Sequence, residues 1–251
     1  MSSMRAALLW KAWLETRARF ISALGVLTIL GISTVLRAPA TIAGWESIHV
    51  NEQMSYPMYI WLSLSHGFLQ FLWIVAVVIL GLGGLLRERS IGSSSFTLSL
   101  PATRSAHVAA RAAIGAAEAA LLGFVPGLIV VALSPLEGLA YPIEQAMIFG
   151  ALLVTAGFAF YGLAFFLSHL VHGEYTAPGL ALGLIAVFYV LTKIPRFESL
   201  NVFDAMDGKL NLVGHTFFMG SSYPIATIAA SLATALSFIA LSAWRVRRVE
   251  F

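Results

Sequence analysis

Few side chains in this chain have the type and spacing that chemistry needs. Glu118 is the one acid clearly inside a long apolar run, AARAAIGAAEAALLG. Arg111 lies seven positions before it, two helical turns and about 10 Å along the same side of a helix. An ionised carboxylate in hydrocarbon is costly. Such an acid either serves a substrate or proton path, or makes a hydrogen bond between helices near the cytoplasmic surface. His66 sits in a second apolar run, where a structural hydrogen bond is the simpler expectation than proton transfer. His169, His172 and Glu174 form HLVHGE. Histidines three apart can share a metal on a helix, but a third strong ligand is not evident, so a polar turn or a partner contact is expected and no metal. Neither G-x-S-x-G nor H-E-x-x-H occurs, so no catalytic residue is assigned. The three lysines are Lys11, Lys193 and Lys209, and none fits G-x-x-x-x-G-K-[ST]. This chain therefore holds no Walker phosphate loop.

The composition says what must position these groups. Of 251 residues, 59% are hydrophobic and 11% charged, against about 25% charged in soluble domains. A soluble surface cannot be covered with so few polar groups, so lipid is the natural solvent. The net charge of +3 does not indicate nucleic acid, because the basic residues sit at the ends of apolar runs rather than in a stripe. Cysteine is absent, which excludes disulfides and cysteine-ligated metals.

Six stretches are long and apolar enough to cross a bilayer: 20–37, 58–86, 107–134, 145–170, 176–193 and 222–244. Arg5, Lys11, Arg17, Arg19, Arg87, Arg89, Arg104, Arg111, Arg245, Arg247 and Arg248 fall at one set of ends. Only Arg37, Lys193, Arg196 and Lys209 fall at the other. The positive-inside rule places both termini in the cytoplasm. Ala38-Pro39-Ala40 resembles a signal-peptide cleavage site, but the apolar run is too long and its leader contains Glu15, so an uncleaved span is expected. The chain reads as one transmembrane domain over 1–251, all-α, multi-pass, in the cell (inner or plasma) membrane.

Two segments lie outside the spans at the cytoplasmic side. Over 4–19, Leu9, Trp10, Trp13, Leu14 and Phe20 share one helical side, while Arg5, Lys11, Glu15 and Arg19 share the other. That is the pattern of an interfacial helix, with tryptophans at headgroup depth. Over 87–106 the chain reads RERSIGSSSFTLSLPATRSA. It is longer than the usual connection of 2–8 residues and carries Phe96, Leu98 and Leu100. Apolar residues in a loop imply either a surface that something covers or a loop folded onto its own helices and the lipid headgroups. Pro101 suits a helix start, and Thr103 or Ser105 a cap. On the outer side, 194–221 mixes apolar patches with polar residues, as either an extracellular loop or short helices dipping into the leaflet.

The order Arg87, Glu88, Gly92, Leu98, Leu100, Pro101, Arg104 resembles the first cytoplasmic loop of ABC-2-type permeases, the membrane subunits of one class of ATP-driven transporters. Ser93 stands where that family often has threonine. The N-terminal LLWKAWLETRARF resembles the family's N-terminal helix. The resemblance implies six spans, a coupling helix over 87–106 seated in an ATPase subunit, and a second permease copy or related permease as partner. It implies a re-entrant outer gate in 194–221. ATP and Mg would be bound by the partner ATPase, and no cofactor by this chain. It also implies export of an amphiphilic substrate. Two other readings stand beside it: an ion-coupled secondary transporter using Glu118, and a non-transporting membrane scaffold or sensor.

Overall fold

The computed structural model describes residues 2–49, 53–82, 103–171, 176–209, 212–213, 217–218, 220 and 223–248. Every regular element among them is helical. Helix α1 (Ser2–Ile48) is 47 residues long. The expected interfacial helix and first span are thus one element rather than two. Nothing between Arg17 and Leu24 breaks a helix, and even Pro39, which lacks an N–H, lies inside α1. At 1.5 Å per residue α1 is about 70 Å long, more than twice a hydrocarbon core of about 30 Å. Part of it must project beyond the lipid or bend along its surface. Its packed stripe is Leu8, Ala12, Thr16 and Phe20, at steps of four, with Leu27 beyond. Trp10, Leu9 and Leu14 are exposed, whereas Trp13 packs against the core, so the two tryptophans expected on one side are divided between surface and bundle.

The second span, Tyr56–Gly81, has three parts. Helix α2 (Tyr56–Ile60) starts on a Ser55 cap. A π-helical stretch, Trp61–Leu69, follows, then α3 (Gln70–Gly81). The stretch breaks at His66 (φ −75°, ψ 94°) and Gly67 (φ 90°, ψ −52°). Gly67 occupies a region that side chains with a Cβ avoid. The long apolar run had suggested an unbroken helix.

Helix α4 (Arg104–Leu133) begins at a Thr103 cap that accepts from Ala106 N, and contains Pro126. A 3-10 turn (Ser134–Glu137) leads to α5 (Ile143–Leu170) and then α6 (Thr176–Thr192). A 3-10 turn (Pro195–Leu200), the short α7 (Val202–Met206) and α8 (Ile225–Arg248) complete the order. Among the described residues, five segments are long and apolar enough to cross a membrane, the architecture of a multi-pass membrane protein. The remaining expected span, 176–193, is α6, with 17 residues and a length of about 26 Å.

Helix α5 is the centre. It is apolar on all sides, as a buried helix must be, and α3, α4, α6, α7 and α8 all pack on it. Tyr161, Phe165 and Leu153 on α5 are fully buried. Helix α7, from the 194–221 segment, is also inside the bundle. Phe203 lies against Phe160, Phe188 and Tyr189 at ring separations of 5.4, 5.8 and 5.0 Å. Met206 is fully buried against Gly157, midway along α5. A Cβ at Gly157 would lie 2.5 Å from Trp73 and 2.6 Å from the Met206 methyl, so only glycine admits this approach.

Candidate functional site

Two of the polar clusters among the described residues join separate elements through charged side chains. The first joins α1, the end of α3 and the start of α4. Helix α3 ends at Leu82, whose backbone is extended (φ −72°, ψ 140°). A helix end leaves carbonyls without internal partners and carries partial negative charge. Two arginines meet that need. Arg19 Nη1 donates to the Leu82 carbonyl at 2.6 Å. Arg111 Nη2 donates to the same carbonyl. Arg111 Nη1 also donates to Glu15 Oε2 at 2.5 Å, and Lys11 lies 3.4 Å from Glu15 Oε1. Arg111 is buried, and a buried cation is tolerated when paired and hydrogen-bonded. This clasp ties the N-terminal half of α1 to Leu82 and to α4, the elements flanking residues 83–102.

Glu118 lies two turns along α4 and is 3% exposed. Thr16 Oγ1 donates to its Oε1 at 2.5 Å, joining α4 to α1. Glu118 Oε2 has no hydrogen-bond partner among the described residues. Thr16 is fully buried, so this contact is closed to bulk solvent. Nearly two helical turns before Glu118, Tyr161 of α5 donates to the Ala112 carbonyl at 3.0 Å.

The second cluster sits at the helix break. His66 Nδ1 is 2.9 Å from Asp207 Oδ2. Asp207 Oδ1 accepts from Lys209 N at 2.9 Å, and Trp61 Nε1 donates to the Asp207 carbonyl at 3.0 Å. Gln70 Nε2 donates to the Phe203 carbonyl at 2.8 Å. These bonds hold α7 to the broken span. Its depth is fixed by two contacts with α1. Tyr59 donates to the Thr34 carbonyl at 2.7 Å, and Arg19 reaches Leu82. Residues between Tyr59 and Leu82 are therefore level with 19–34 of α1, its apolar run.

The structure brings Lys11, Glu15, Arg19, Arg111 and Glu118 into one region. Trp13 packs edge-on against Phe20 at 5.6 Å, whereas Trp10 stays outside. Arg104 is the first residue of α4. Arg87, Glu88, Gly92, Leu98, Leu100 and Pro101 lie outside the described residues, as do His172 and Glu174. His169 is buried, with Nδ1 2.8 Å from the Phe165 carbonyl. Among the described residues no group of three His, Asp or Glu side chains could hold a metal.

Thr16, Asp207, Gln70 and Trp61 were missed from the sequence. Thr16 is the third residue of the i, i+4 stripe Leu8–Ala12–Thr16–Phe20, which was a readable signal. Asp207 reads as an outer-loop acid, and no local pattern pairs it with His66. No protein-family model matches the chain, and a search of curated proteins finds no match.

Proposed function

We propose that this chain is the membrane-spanning subunit of an ATP-driven ABC transporter of the ABC-2 type, exporting an amphiphilic substrate. The observation that carries the reading is the clasp around residues 83–102, taken with the motif those residues contain. A segment that receives force from a motor needs rigid roots. Leu82 before it and α4 after it are both bonded to α1 through Arg19, Arg111 and Glu15, and Thr103 caps α4. Movement imposed on Arg87–Arg104 would pass into α1, α3 and α4 together. Both termini and this segment lie in the cytoplasm, where the positive residues gather.

ATP and Mg belong to a separate ATPase chain, because no lysine here fits a phosphate loop. Glu88 and the arginines provide charged contacts to that partner, and Leu98 and Leu100 the apolar insert. A second permease copy or a related permease completes the path. The alternative of ion coupling through Glu118 gains one observation, the unpartnered buried Oε2. It predicts transport without an ATPase, abolished by Glu118→Gln. The ABC reading predicts co-purification with an ATPase that survives Glu118→Gln. That association weakens when Leu98 and Leu100 are both changed to aspartate. Unchanged association in that double variant, or transport without any ATPase, would overturn it.

A further inference from the structure

The break at His66–Gly67 lies level with the apolar run of α1, the stretch that lipid would surround. Yet the side chain of His66 is 48% exposed, while that of its partner Asp207 is 4% exposed. Phe68 is 55% exposed, and a Cβ at Gly67 would meet nothing within 4 Å. A polar ring beside non-helical backbone is not stable against lipid. Irregular backbone at this depth occurs where it meets protein or water. The ring has a defined orientation. When Nδ1–H donates to Asp207, Nε2 is left as an acceptor away from Asp207, the same use of a carboxylate that orients histidine ligands in metal sites. Trp61 stacks on the ring at 4.6 Å. Asp204 pairs with Lys209 at 3.7 Å, and among the described residues Asp207 has no lysine or arginine side chain as ion-pair partner, only the His66 ring.

We propose that the broken turn Ser65–Phe68 is a water-facing binding site for the ammonium head of a cationic amphiphile. His66 Nε2 accepts a hydrogen bond from the head. Asp207 supplies the negative charge behind it, and Trp61 forms an apolar side. The role in transport rests on the ABC reading above; the existence of the site does not, and its test needs no ATPase.

The chain has no cysteine, so single-thiol variants are clean probes. Phe68→Cys leaves the His66–Asp207 pair intact. Ile29→Cys, on the exposed side of α1 at similar depth, is the lipid-facing control. In vesicles of the full chain, a charged, water-soluble thiol reagent should label Phe68→Cys at least about tenfold faster than Ile29→Cys, since hydrocarbon excludes such a reagent. Equal rates, slow or fast, would overturn the proposal. Decylammonium should slow labelling of Phe68→Cys several-fold, and decyl sulfate should not. Equal protection by both, or by neither, contradicts the cationic site. Adding His66→Phe should abolish the decylammonium protection, and its persistence would also contradict the assignment. If an ATPase fails to co-purify while this labelling pattern holds, the site stands and the transporter reading falls.

Discussion

Replacing Thr16 by valine should destabilise the bundle more than replacing Glu118 by glutamine. Valine keeps the shape of threonine, so packing in a fully buried position is preserved. What is lost is the donor to Glu118 Oε1 at 2.5 Å. Oε2 already lacks a partner among the described residues, so Thr16→Val strands the whole carboxyl at 3% exposure. A buried polar group left without a partner costs about 1–3 kcal/mol. The upper half of that range applies to a carboxylate, giving about 2 kcal/mol, or about thirtyfold in the unfolding constant. Glu118→Gln retains an acceptor oxygen for Thr16 and removes a charge that is costly to bury. Its effect should stay below about 0.6 kcal/mol, the typical worth of a hydrogen bond between membrane helices. Equilibrium unfolding in mixed micelles, with the double variant closing a thermodynamic cycle, reads both. A Glu118→Gln loss equal to that of Thr16→Val would refute the reasoning, because the charge itself would then be stabilising. A Thr16→Val loss near zero would refute it too.

Gly157→Val should cost about 1–3 kcal/mol, the usual range for overpacking, and should loosen α7, because a Cβ would lie 2.5 Å from Trp73. Faster proteolysis within 195–209 checks this, and unchanged cleavage contradicts it. Gly67→Ala should cost about 1–2 kcal/mol, since φ of 90° is strained for any residue with a Cβ; equilibrium unfolding measures it. Arg111→Gln should cost about 1.5–3 kcal/mol, as expected for hydrogen bonds to charged groups. Arg19→Gln should cost less, because Arg111 still serves the Leu82 carbonyl. Unfolding of the two single variants reads that order, and the reverse order contradicts the clasp geometry.

Much of the helical architecture was legible because long apolar runs have few alternatives in lipid. The start of α4 was legible as well, since Thr103 is a good cap before Arg104. The continuity of α1 was not. Charge patterning divides 4–19 from 20–37, but backbone propensity has no breaker there, and propensity decides the element. The break at His66–Gly67 hides in sequence because a glycine inside an apolar run is usually tolerated in a helix; here its positive φ ends the regular hydrogen bonding. Asp207 lies in the mixed 194–221 segment, outside the apolar runs. Its pairing with His66 is long-range, made only because α7 packs against α5 and the second span. Glu118 stood out by hydropathy alone, yet its partner Thr16 is about 100 positions away and required the structure.

The most direct measurement is affinity purification of the full chain from its native membrane, with ATP hydrolysis assayed in the eluate and every co-eluting chain sequenced. The account predicts a stoichiometric partner with a phosphate-loop motif, depleted when Leu98 and Leu100 are both changed to aspartate. A purified, transport-competent complex with no nucleotide-hydrolysing chain would contradict it.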